Sequence, residues 1–279
     1  MTVTHGPEVA AAILDLCAIP AADRQACTLM LGTPADSGTQ RALESIDARW
    51  GDAAAPELKH LDGVDEQRWI EAILRFAPVA AERLERSGVS PAVIEATFAD
   101  IGKQMELHRR TYGGFGMDTW WWLVLHLSGL LFRLGRLQFH LHRETAKGPW
   151  VIGLHIPEDG PLDPASVDES LALAAVFFAR QFPDARIDHA SCDSWLLDPH
   201  LSAGLPASNM AKFAARFSNV ELRNEPKDAL YFTFRAPADA EPTTLPRESS
   251  LQRLVLERID AGGTWQVGKG VCAWPESGA

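Results

Sequence analysis

The chain has 279 residues, with 26 Lys and Arg against 37 Asp and Glu, a formal charge of −11. Its 46% hydrophobic and 23% charged residues are the balance of a folded globular protein, which excludes a disordered chain, a collagen-like repeat and a long coiled coil. The acidic total argues against nucleic acid as a partner, since such binders carry a basic domain or stripe, and the length fits two domains or one large one.

The first apolar stretch is interrupted by Glu8 and Asp15 and has no basic segment before it, so a secretory leader is not expected. Helices follow in order. Pro7 opens a short one, a second follows Pro20, and a third carries Ala42, Ile46 and Trp50 on one face. From Val64 to Ser87 the apolar residues Trp69, Ile70, Ile73, Leu74, Phe76, Val79, Ala80 and Leu84 recur at helical spacing, and Pro78 is expected to kink the helix. Gly88 stops it, and Ser90-Pro91 starts another that reaches His108. The glycine-rich stretch Thr111–Asp118 is the clearest boundary, dividing the chain into a helical domain over 1–116 and a second domain over 117–279.

The longest apolar run, Trp120–Phe132, contains His126 and Ser128 and falls short of the roughly 20 residues that span a bilayer. A cytoplasmic protein without a membrane partner is expected. Beyond the boundary, 131–142 and 149–157 read as two strands joined in a hairpin, and a helix begins near Ser166, where Ser166 and Glu169 fit a capping box. A strand over 188–197, a broken helical segment, two strands over 220–224 and 228–235, a linker over 236–246, a last helix and a tail able to add a strand complete the order. Strands with helices inserted between them make the fold α+β, and the hairpins make the sheet mostly antiparallel.

No P-loop, dinucleotide glycine fingerprint, nucleophile elbow or H-E-x-x-H stands in the sequence. Cys17, Cys27, Cys192 and Cys272 form neither a disulfide framework nor a zinc knuckle. His140 and His142 share a strand face, but no third ligand accompanies them, so no metal is expected. Between Leu130 and Pro149 four basic residues face one acidic residue, and Arg133 and Arg136 there could hold a carboxylate or a phosphate.

Four stretches carry a resemblance: residues 96–113, 131–139, 153–171 and 192–199. Together they resemble the bacterial, mainly actinobacterial, acyltransferase-domain proteins that pair a helical N-terminal domain with a GNAT-like C-terminal domain. The resemblance implies a GNAT-like sheet in which the central strand is followed by a helix whose N-terminus faces an acyl-CoA pyrophosphate. It implies acyl-CoA or acetyl-CoA as co-substrate and a small-molecule amine or hydroxyl as acceptor; whether the protein is a homodimer stays open. In such enzymes the loop between strand and helix reads Arg/Gln-x-x-Gly-x-Gly/Ala. Here Pro157–Ser166 has one glycine, Gly160, with three prolines and three acids.

On that frame His155 and Glu158 are candidates for general base, with Asp193 as a further acid/base residue. Arg133, Arg136, Gly160 and Ser166 are the cofactor-binding candidates, and His189, Cys192, Trp195 and Trp121 the substrate-binding ones. Two other readings stand beside the transferase. One is a non-catalytic GNAT-like binding or accessory protein that has lost the pyrophosphate loop. The other is a cysteine hydrolase that uses Cys192 as nucleophile.

Overall fold

The computed structural model describes residues 4–275 except 57, 59 and 238, the last of which falls inside the expected linker. The chain forms two compact units: residues up to Leu134 with His140–Gly148, and Gly135–Phe139 with Pro149 onward.

The first unit contains α1 (Pro7–Leu16), α2 (Ala21–Leu31), α3 (Ser37–Asp47), α4 (Glu66–Arg86), α5 (Pro91–Tyr112) and α6 (Trp120–His126). Local chemistry sets their starts. Pro7 and Pro91 occupy first turns, and the Asp36 and Asp65 carboxylates accept the amides of Thr39 and Arg68 at 2.8 and 3.0 Å. On α4, Trp69, Ile70, Ile73, Leu74, Phe76, Ala80 and Leu84 are all buried, each large side chain contributing about 1.5–3 kcal/mol on leaving water. The helix continues through Pro78. α5 ends at Gly113, whose φ of +80° only glycine adopts readily.

Buried charges in this unit are paired, as burial demands. Arg109 of α5 binds the buried Asp23 of α2. Arg75 of α4 holds Glu71 at 2.7 Å and donates to the carbonyls of Met30 and Thr33. His126 Nε2 lies 3.0 Å from Asp100.

The strands are β1 (Leu131–Leu134), β2 (Leu137–His142), β3 (Trp150–His155), β4 (Ile187–Ser194), β5 (Ser218–Asn224) and β6 (Gln266–Cys272), in the sheet order β1-β2-β3-β4-β6-β5. The sheet is mixed: β3 and β4 are parallel, while β6 is antiparallel to both β4 and β5. Helix α7 (Pro164–Gln181) connects β3 to β4, as parallel neighbours require. A 3₁₀ turn at Trp195–Leu197, α8 (Pro199–Gly204) and α9 (Asn209–Ala214) follow β4, and α10 (Pro226–Phe234) and α11 (Ser250–Asp260) follow β5.

Three local expectations are corrected. The run 131–142 is two strands, because Gly135 takes a φ of +68° and makes a two-residue turn with Arg136. Residues 228–235 are strand-like in composition but fold as α10, which Pro226 opens and which packs on α11 and β6; tertiary burial of Ala229 overrides the propensity of Tyr231, Phe232 and Thr233. The cap of α7 is Asp163 rather than Ser166, since Pro164 already supplies the first helical residue. The tail does form a strand, β6, and it inserts between β4 and β5.

Candidate functional site

The ladder between β3 and β4 runs from Trp150↔Ile187 to Gly153↔Ser191 and stops there. β3 continues to His155, whereas β4 stays paired with β6 as far as Ser194↔Gly268. The carboxyl ends of two adjacent parallel strands therefore part, the arrangement in which open α/β sheets receive ligands.

Strand alternation sorts the candidates. His155 lies on the same sheet face as Val151 and Gly153, and the register puts His189, Ser191 and Asp193 on that face too. Asp193 is held by Arg223 of β5 at 2.7 Å, and His189 Nδ1 lies 2.8 Å from Asp188. Cys192 faces the other way and is 2% exposed; burial first, and Asp193 second, push its thiol well above the ordinary range. A nucleophilic cysteine needs the opposite shift, so the hydrolase reading loses its thiolate. Trp195 is buried, edge-on to Trp265 with ring centroids 5.9 Å apart.

The 156–163 loop leads from β3 into α7. Arg136 reaches it and donates to the carbonyls of Pro161, Pro157 and Gly160 at 2.9, 3.0 and 3.1 Å, with the Asp159 carboxylate 3.6 Å away. Gly160 has a φ of +69°. Glu158 is ion-paired with Arg235, the left-handed cap of α10, whose guanidinium lies 4.7 and 4.8 Å from the Tyr231 and Phe232 rings. At the first turn of α7, Asp163 accepts the Ser166 amide at 3.0 Å and its hydroxyl at 2.7 Å. The Ser166 hydroxyl, then its amide, holds the Asp163 carboxyl below the usual range.

Glu158, Gly160 and Ser166 thus belong to one loop and helix start, Arg136 reaches that loop from the turn between β1 and β2, and His155 stands where the loop begins. Arg133 and Trp121 lie in the other unit: the Arg133 amide donates to Thr97, and Trp121 is 40% exposed beside Trp120, which stacks on Trp69 at 4.3 Å. Sequence reasoning missed Arg223 and Arg235, whose roles depend on pairings no spacing encodes. It also missed the cap at Asp163, although the Asp163-Pro164 dipeptide is a signal for one. Among the described residues no His, Cys, Asp and Glu cluster could hold a metal, and no helix is long and apolar enough to cross a membrane. Two open grooves, about 600 Å³ beside Arg41 and Arg49 and about 510 Å³ beside Ala175 and Trp274, include neither β3 nor its loop.

No curated protein matches the chain by sequence. Among solved structures it is similar to an acyltransferase in complex with CoA and 10C-teicoplanin, at 30% identity over 98% of this chain and 90% of that one, TM-score 0.84. It is similar as well to an acyltransferase in complex with decanoyl-CoA, at 27% identity over 98% and 90%, TM-score 0.87. An acyltransferase mutant in complex with octanoyl-CoA gives 29% identity over the same shares, TM-score 0.86. Residues 8–129 match the N-acyltransferase N-terminal domain, and residues 131–272 match the GNAT-like C-terminal domain. The chain therefore belongs to the acyltransferase family that joins these two domains.

Proposed function

We propose that the protein transfers an acyl group from acyl-CoA to an amine or hydroxyl of a small molecule. The observation that carries this reading is the parting of β3 from β4, with His155 at the carboxyl end of β3 and the 156–163 loop leading from it into α7. Similar acyltransferases hold CoA, octanoyl-CoA or decanoyl-CoA, and two of them also hold teicoplanin or its 10C form, which supports a small-molecule acceptor.

In this mechanism the acceptor nitrogen or oxygen attacks the thioester carbonyl while His155 takes its proton. An amide of β3 beyond Gly153 donates to the oxyanion of the tetrahedral intermediate. Collapse breaks the carbon–sulfur bond, and CoA leaves as the thiol with the proton that His155 carries. Glu158 and Asp193 hold Arg235 and Arg223 and are assigned to positioning rather than to proton transfer.

Asp163 at the α7 start favours a second reading, a binding protein whose own carboxylate fills the anion position. Thermal shift with acetyl-CoA and octanoyl-CoA separates the two. A ligand at 100 times its Kd stabilises by about 2.7 kcal/mol, so an unchanged melting temperature at millimolar acyl-CoA removes the transferase. Where binding is seen, His155→Gln is expected to cut turnover by roughly 10²–10⁴-fold with acyl-CoA affinity retained.

A further inference from the structure

The loop after β3 is organised around a cation. Arg136 has a side chain 10% exposed, its backbone N–H is tied to Ser170 Oγ of α7 at 2.6 Å, and its guanidinium gathers the carbonyls of Pro157, Gly160 and Pro161. In a trans peptide the C=O and N–H point in opposite directions. Turning the Pro157 and Pro161 carbonyls onto Arg136 therefore turns the N–H groups of Glu158 and Leu162 away from it. The peptide after Gly160 offers no N–H, because Pro161 follows. Arg235 in turn holds Glu158. The two guanidiniums also offset the charge of Glu158 and Asp159, which would otherwise oppose an anion.

We propose that Arg136 is the positioning residue of the cofactor loop: by gathering its carbonyls it presents the Glu158 and Leu162 amides to the pyrophosphate of an acyl-CoA. A guanidinium thus replaces the conformational freedom that a glycine-rich loop would use. The inference rests on the acyl-CoA reading above and deepens it.

The test titrates the full chain with octanoyl-CoA and with octanoyl-pantetheine, which lacks the pyrophosphate. A charge-assisted hydrogen-bond set contributes enough that Arg136→Met is expected to weaken octanoyl-CoA by about tenfold or more. Octanoyl-pantetheine is expected to bind within about twofold of wild type, since it has no group for those amides. Arg136→Lys keeps the charge without the fork and is expected to fall between; it carries the test alone should Arg136→Met fail to fold. Equal weakening of both ligands, or octanoyl-CoA affinity unchanged in the variants, overturns the inference while leaving the transferase reading intact. A wild-type chain that binds no octanoyl-CoA overturns the transferase reading and this inference with it.

Discussion

Replacing Gly135 with alanine tests the turn that delivers Arg136 to the loop. Gly135 has a φ of +68°, and a Cβ built there stands 2.8 Å from Ser170 Oγ. The backbone conformation alone costs an L-residue about 1–2 kcal/mol. The Ser170 hydroxyl is the end of a short side chain and can rotate aside, but it is fully buried and accepts the Arg136 N–H at 2.6 Å. Losing that bond costs about 1 kcal/mol, more where the donor stays buried and unsatisfied. Gly135→Ala is thus expected to destabilise by about 2–4 kcal/mol. Gly160 is the internal control: its φ is +69°, yet nothing lies within 4 Å of a built Cβ, so Gly160→Ala carries the backbone cost only. Urea unfolding followed by circular dichroism and by tryptophan fluorescence measures both, with equal slopes required for the comparison. The pair Gly135→Ala and Ser170→Ala closes a double-mutant cycle that isolates the collision from the hydrogen bond. A Gly135→Ala midpoint no lower than that of Gly160→Ala would refute the reasoning.

Gly102→Ala pits a helix-propensity gain of about 1 kcal/mol against a Cβ placed 2.1 Å from the Ala18 carbonyl oxygen and 2.8 Å from that of Cys17. Backbone cannot swing aside, and the Gly102 N–H bond to Cys17 is at risk, so a net loss of about 2–4 kcal/mol is expected in calorimetry. Cys192 is expected to stay unlabelled by a thiol reagent in the native protein near neutral pH and to react on unfolding, as peptide mass analysis would show; fast native labelling revives the hydrolase reading. The Asp228 carboxyl is raised by burial first and by Glu225 second, with Arg223 opposing. Folded protein then holds that proton to higher pH than unfolded protein, and stability falls as pH rises through the window above the ordinary carboxylate pKa of about 4. Asp228→Asn should therefore be more stable than wild type at neutral pH and lose that advantage near about pH 3, where the native carboxyl is neutral too.

Much of the architecture was legible before any coordinate. The 3.6-residue periodicity of 64–87, with Pro91 and Ser90 after Gly88, marks α4 and α5 because a helix closes its hydrogen bonds within the segment and so repeats its buried face at a fixed spacing. The strand-like 149–157 and the helix after it were equally visible, and with them His155 at a strand end. Local signals misled where burial competes with propensity, as at 228–235, where Tyr231 and Phe232 suit a strand but Ala229 is packed against neighbours distant in sequence.

By itself, then, the chain determined its class, its helices and the residue types available for chemistry, all set by composition and short-range pattern. Only the tertiary structure decided which of those residues meet. Arg136 looked like one basic residue in an alternating run, yet the turn at Gly135 points it at three carbonyls more than twenty residues away. Glu158 and Asp193 read in the sequence as isolated acids, and the fold pairs them with Arg235 and Arg223. The −11 of the sequence likewise says nothing of this loop, where two arginines from distant elements offset the local acids. Charge at a site is the sum over groups that folding brings within a few ångströms, and that sum is not written in any one stretch of sequence.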